Sequence, residues 1–279
     1  MLPASATRTA THPALDRARR LVFAHRGGAR LRPENTLAAF DHGLAVGADG
    51  LELDVQLSRD GEVVVCHDPT LDRTTNGSGA VRERTADELA QVDAGHHFAP
   101  EQGYPFRAQR VGIPRLRDVL ARYPGVPMIV ELKGKDAELA RAAVAVVADA
   151  GALDRVCFGG FVAETMQAAR AAGPGLVTGA STPEVRRALT LSRMWLWPRR
   201  PPYDALQVPE RSGDVQVVSP RFVGAAHRSG VPVQVWTVND EADMWRLLAW
   251  GVDALISDRP DVATAVVRRW RRDPRPPAA

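Results

Sequence analysis

Glu52 and Asp54 stand two residues apart in Gly50-Leu51-Glu52-Leu53-Asp54-Val55-Gln56-Leu57, a stretch in which apolar and polar residues alternate. In a strand that spacing aims both carboxylates the same way, with Cα atoms about 7 Å apart. Such a pair repels, and each raises the other's pKa, unless a cation lies between them. A hard divalent ion such as Mg2+ or Ca2+, which takes oxygen ligands, resolves the conflict. The pair alone is equally compatible with a solvated strand face. Further short stretches shift the balance. His67 ends the next apolar run, Val63-Val64-Val65-Cys66, reached through the turn Ser58-Arg59-Asp60-Gly61. A connection this short makes an antiparallel hairpin, not a parallel crossover. His25-Arg26-Gly27-Gly28 closes the apolar run Leu21 to Ala24. Glu131 and Lys133 repeat the two-residue spacing at the end of Met128 to Lys133.

Three carboxylates (Glu52, Asp54, Glu131) suit one hard cation. Arg26 and Lys133 add fixed positive charge of the kind that grips phosphate oxygens. A metal with an Arg and a Lys stabilises the extra negative charge of a five-coordinate phosphorus. His25 and His67 can divide acid and base roles across that phosphorus, because imidazole titrates near working pH. Glu34, in Pro33-Glu34-Asn35-Thr36, serves either as a first-turn charge or as the orienter of Arg26.

These side chains need strand ends to hold them. Apolar strands are expected around residues 23, 53, 130, 157, 177, 235 and 255, with a further one at either 206 or 217. Helices intervene between most of them, such as Asp136 to Ala150, Ala163 to Ala172 and Pro183 to Met194. Strand–helix repetition at this length predicts an α/β fold, a (β/α)8 TIM barrel, whose site lies at the C-terminal strand ends. An inserted loop and short-helix segment after the second strand, residues 71–112, is expected over that site. It includes the capping box Thr85-Ala86-Asp87-Glu88. Asn239 is expected to cap the helix that follows it. Residues 21–271 form one domain between loose tails at 1–20 and 272–279. The aromatic stretch Trp195-Leu196-Trp197-Pro198 is expected to pack on the body.

Composition removes several function classes. The 279 residues carry a net charge of +3 and show no run of like charge longer than three, which argues against a nucleic-acid partner. The absence of any stretch of about 18 apolar residues argues against stable membrane insertion. Cys66 and Cys157 give no disulfide framework, and the first twenty residues lack the apolar core of a secretory signal, so a cytoplasmic location is expected. No obligate protein partner is indicated.

The motifs His25-Arg26-Gly27, Pro33-Glu34-Asn35-Thr36, Glu52-Leu53-Asp54, His67-Asp68, Glu131-Leu132-Lys133 and Trp236-Thr237-Val238-Asn239 resemble the glycerophosphodiester phosphodiesterase family in order and spacing, from about Leu21 to Val267. The resemblance implies a TIM-barrel enzyme that splits small-molecule glycerophosphodiesters, such as glycerophosphocholine or glycerophosphoethanolamine, to sn-glycerol 3-phosphate and an alcohol. It implies one divalent ion, Mg2+ or Ca2+, on Glu52, Asp54 and Glu131, and an acid/base pair in His25 and His67. Arg26 and Lys133 would bind phosphate, Glu34 would support Arg26, and Trp236 would line the substrate pocket. The glycerol hydroxyl next to the phosphoester carbon can reach the metal, and attack by it through a cyclic phosphate competes with attack by water. An alternative is lysophospholipase D-type cleavage, with an acyl chain held near Trp195 and Trp197. A barrel glycosidase leaves Arg26 and Lys133 without a role, and a non-catalytic binding module leaves His25 and His67 without one.

Overall fold

The computed structural model describes residues 12–194, 196–198 and 201–275. Trp195, Arg199 and Arg200, and the ends of both expected tails (1–11 and 276–279), lie outside the described residues.

The chain runs β1 (Leu21–His25), α1 (Leu37–Ala45), β2 (Gly50–Leu57), β3 (Val63–Val65), α2 (Ala86–Gln91), α3 (Leu116–Arg122), β4 (Met128–Leu132), α4 (Ala137–Asp149), β5 (Val156–Gly159), α5 (Ala163–Ala172), β6 (Val177–Thr178), α6 (Thr182–Arg193) and β7 (Leu206–Pro209). It continues through a short hairpin, β8 (Arg211–Ser212) and β9 (Val215–Gln216). It closes with α7 (Pro220–Arg228), β10 (Val233–Trp236), α8 (Glu241–Ala249), β11 (Ala254–Ser257) and α9 (Pro260–Arg272). The parallel strands follow the order β6-β5-β4-β2-β1-β11-β10-β7, with β3 antiparallel on β2. A parallel bridge from Gly179 to Ala205 joins β6 to β7 and brings the sheet round on itself. This is the expected α/β barrel.

Period-two alternation sorts the side chains. Leu51, Leu53, Val55 and Leu57 turn outward into the core beneath the helices. The barrel interior is packed with Leu21, Phe23, Ile129, Cys157, Val177 and Ile256, so it is a filled core with a site at one end. The seventh strand is Leu206–Pro209, because Val233 to Trp236 register against Leu206 to Pro209. The rival run at 215–218 instead supplies β9.

The expected tail at 1–20 is corrected over residues 12–20. Pro13–Leu15 form a helical turn, Ala14 and Leu15 are buried against the interior core, and Gln234 Nε2 donates to the Ala14 carbonyl at 2.7 Å. A barrel needs its N-terminal end plugged, and this turn supplies the apolar plug. Thr36 caps α1 and the Thr85–Glu88 capping box opens α2. The insertion has its own small core of Val64, Cys66, Leu71, Val81, Leu89 and Ile113. No helix among the described residues is long and apolar enough to cross a membrane.

Candidate active site

The turn after β1 is set by backbone conformation. Arg26 and Gly27 take φ of +50° and +84°. A left-handed conformation costs a non-glycine residue about 1 kcal/mol. At Gly27 a Cβ would lie 2.7 Å from the Ala39 carbonyl carbon, so only glycine lets α1 press this close. The turn aims the Arg26 N–H at Glu52 Oε2, 3.0 Å away, and its guanidinium at Glu34 Oε1, 2.9 Å away. Its buried Nε lies 3.2 Å from Asp54 Oδ2 without a hydrogen-bonding geometry. Asn35 (φ +58°) donates its N–H to the Arg26 carbonyl at 2.9 Å. Its side chain donates to Asp54 Oδ2 at 2.8 Å and accepts the Asp54 N–H at 3.2 Å.

Strands β2 and β4 are neighbours, with Asp54 opposite Glu131. Glu52, Asp54 and Glu131 each bring an oxygen within 4.8 Å of the others. Burial, then the Asp54 charge, pushes the Glu52 carboxyl up to about 7. Burial and Asp54 likewise raise Glu131. Burial would raise Asp54 too, but Lys133 and Arg26 outweigh it and hold that carboxyl low. Lys133 Nζ sits 2.8 Å from Asp54 Oδ1 and bonds Glu131, placing its ammonium among the acids. An all-oxygen donor set with Glu52 short of positive charge fits a hard divalent ion.

Both imidazoles are clamped through Nδ1. His25 Nδ1 lies 2.6 Å from Asp258 Oδ1, and Asn239 Nδ2 donates to the other Asp258 oxygen at 2.8 Å. His67 Nδ1 lies 2.5 Å from Asp68 Oδ1. Burial works to raise Asp258, yet His25 and Asn239 hold it low. A hydrogen bond from Arg73 takes Asp68 down to about 2. Both carboxylates are placed to accept an Nδ1–H, which would leave each Nε2 open for proton exchange. Burial lowers the His25 pKa, but Glu52 and Asp258 outweigh it and raise the net value. Arg73 also donates twice to Glu34, both at 2.8 Å.

A cavity of about 140 Å³ is lined by His25, Arg26, Glu52, Asp54, His67 and Glu131, and also by Lys133 and Trp236. Of the residues singled out in the sequence, only Glu34 stands back from it, holding Arg26 from behind. None of residues 71–112 lines this cavity, and the insertion reaches the site through Arg73, which donates to Asp68. Asn239 is not the helix cap: Asp240 is, and Asn239 fixes Asp258. Sequence reasoning missed Asp258 and Arg73 and gave Asp68 no role. Asp258 had a signal, because it follows β11 directly, at the strand end where barrel sites lie. Arg73, within an irregular segment, had none. Of the aromatic stretch, Trp197 packs on Phe222 as expected, ring centroids 5.8 Å apart, whereas Leu196 is 52% exposed and Trp195 lies outside the described residues.

A model described as the Glycerophosphoryl diester phosphodiesterase family matches residues 25–262. A glycerophosphodiester phosphodiesterase of Caldanaerobacter subterraneus subsp. tengcongensis is 32% identical over 256 residues, covering 89% of this chain and 98% of the relative. The crystal structure of a glycerophosphodiester phosphodiesterase from Agrobacterium tumefaciens superposes with a TM-score of 0.74 at 29% identity, over 88% of this chain and 99% of that one. A phosphodiesterase from Oleispira antarctica, solved in complex with the product sn-glycerol-3-phosphate, superposes with a TM-score of 0.71 at 29% identity, over 89% of this chain and 96% of that one.

Proposed function

The chain belongs to the glycerophosphoryl diester phosphodiesterase family and is an enzyme of that class, and from that premise we propose that it hydrolyses glycerophosphodiesters such as glycerophosphocholine and glycerophosphoethanolamine to sn-glycerol 3-phosphate and an alcohol. The observation that carries the proposal is the meeting of three carboxylates, two cationic side chains and two Nδ1-clamped imidazoles at one cavity. The product held by the Oleispira antarctica relative supports the same bond.

Glu52, Asp54 and Glu131 would hold one Mg2+ or Ca2+, which when bound supplies positive charge for the phosphoryl oxygens. Arg26 and Lys133 bind the anionic oxygens of the diester and orient it, with Glu34 keeping the guanidinium in place. One imidazole Nε2 takes a proton from water as the water oxygen bonds to phosphorus. The bond from phosphorus to the alcohol oxygen breaks, and the other imidazole gives that oxygen its Nε2 proton. Asp68 and Asp258 hold each ring in the tautomer this exchange requires. Trp236 lines the substrate pocket. Two free, buried cysteines fit a reducing cytoplasm.

The lysophospholipid alternative loses the support it drew from Trp197, which is occupied in packing on Phe222. Phosphorus NMR of glycerophosphocholine incubated with the protein tests the proposal. The glycerol 3-phosphate resonance is expected to appear; phosphocholine in its place would mean that the opposite ester bond is cut.

A further inference from the structure

Gln207 and Gln234 stand in register on the inward sides of β7 and β10, whereas Leu206, Val208, Val233 and Val235 turn outward into the core beneath the helices. Amides inside a barrel need partners. Gln234 Nε2 donates to the Ala14 carbonyl at 2.7 Å, and Gln207 Nε2 donates to Gln234 Oε1 at 3.1 Å. A backbone carbonyl only accepts. Ala14 therefore requires the NH2 end of Gln234, which turns the Gln234 oxygen to Gln207, and Gln207 must meet that oxygen with its own NH2 group. The other Gln207 Nε2 hydrogen has Cys157 Sγ within reach at 3.5 Å. The atom left over is Gln207 Oε1. It accepts no hydrogen bond among the described residues and remains accessible at the wall of the catalytic cavity. Two glycines make room for it: a Cβ at Gly159 would lie 2.8 Å from Oε1, and one at Gly179 closer still. Gly159 is in register with Glu131, so this oxygen stands one strand along from a carboxylate of the site.

We infer that Gln207 Oε1 accepts a hydrogen bond from a free hydroxyl of the glycerol moiety, and that the relay from Ala14 through Gln234 holds the amide in that orientation. The inference rests on the hydrolysis proposed above and names a specificity-determining residue for that site. The polarity of the relay carries it. An acceptor at this wall offers phosphate oxygens nothing, because in a diester they too only accept. Choline offers neither an N–H nor an O–H. In glycerophosphocholine the only donors are the two glycerol hydroxyls, so an acceptor fixed from the far end of the barrel selects for them. The bonds made and broken are those already described; Gln207 adds binding and orientation. One hydrogen bond to a partly open amide is worth about tenfold in kcat/KM.

The test compares kcat/KM for three substrates. They are glycerophosphocholine, 2-hydroxypropyl phosphocholine, which lacks the terminal hydroxyl, and 3-hydroxypropyl phosphocholine, which lacks the one next to the phosphoester carbon. Gln207→Met keeps the length of the side chain and removes the acceptor. It is expected to slow glycerophosphocholine about tenfold and to slow one of the two analogues no further. That analogue identifies the hydroxyl that Gln207 holds, and its unaltered rate shows the variant to be folded. Gln207→Asn, which draws the amide back by one methylene, is expected to give the same pattern and replaces the methionine variant should that one not fold. Gln234→Met frees the Gln207 amide to turn and is expected to reproduce part of the effect; no effect there would overturn the relay. Undiminished turnover of glycerophosphocholine by Gln207→Met, or equal slowing of all three substrates at an unchanged thermal midpoint, would overturn the inference and leave the hydrolysis proposal standing. No turnover of glycerophosphocholine by the wild type would overturn the hydrolysis proposal itself.

Discussion

His25 and Asp258 lie 233 residues apart in sequence and 2.6 Å apart in space, Nδ1 to Oδ1. Barrel closure makes the contact, because β1 pairs with β11 and His25 ends one strand as Asp258 follows the other. Asn239 then accepts the Asp258 N–H at 2.9 Å and donates to its carboxylate, so the acid has little freedom to turn. Asp258→Asn keeps the shape but lets the amide favour the wrong imidazole tautomer. We expect kcat to fall about 100-fold, with KM and the thermal midpoint little changed. A kcat within twofold of wild type would show that Asp258 does not position His25.

Arg73 joins the two halves of the site, donating to Glu34 behind Arg26 and to Asp68 beside His67. Arg73→Met should lower kcat about tenfold, since loss of a supporting contact loosens two functional side chains together. Arg73→Lys should recover only part of it, because an ammonium cannot make the paired contacts of a guanidinium. Steady-state kinetics on both variants decide the matter; equal recovery by lysine would mean that charge alone suffices.

A divalent ion or a proton at Glu52 would relieve the same buried charge, so each should stabilise the fold. Its carboxyl titrates near 4.5 when exposed and at about 7 in the metal-free fold. Between those values the folded state binds the extra proton, so its stability falls as pH rises. The raised His25 pKa acts in the same direction. The metal-free thermal midpoint should therefore drop from about pH 5 to about pH 8, and Glu52→Gln should flatten that slope. Mg2+ or Ca2+ at the higher pH should raise the wild-type midpoint and leave Glu52→Gln nearly unmoved. A wild-type midpoint indifferent to both ions would argue against the three acids as ligands.

Gly27→Ala should destabilise the fold by about 2 kcal/mol, since the new methyl collides with Ala39 and the residue must keep a positive φ. Urea unfolding measures the loss. A change below about 0.5 kcal/mol would mean that α1 can move away cheaply.

The alternation of β2 was legible because both of its faces are committed: leucine and valine to the helices, carboxylates to the interior. The ends of β1 and β4 were legible for the same reason, with apolar runs stopping at charged residues. The choice between the runs at 206 and 217 was not, because both are short apolar runs broken by one glutamine and only the register with β10 selects one. Asn239 and Asp240 are equally good caps by residue type, and the need of Asp258 for a donor divides their roles. Ala14 and Leu15 look like tail residues until a barrel exists for them to plug. What the sequence concealed was long-range pairing, which needs the closed sheet before it exists.

Three carboxylates and two imidazoles at one cavity are proposed to cut glycerophosphodiesters with the help of a divalent ion. Release of sn-glycerol 3-phosphate from glycerophosphocholine tests it most directly, measured with metal chelated by EDTA and again after Mg2+ or Ca2+ is restored. We predict no release with chelator, full recovery with metal, and no recovery in Glu52→Gln or His67→Ala. Undiminished release in EDTA, or full activity in either variant, would contradict the account.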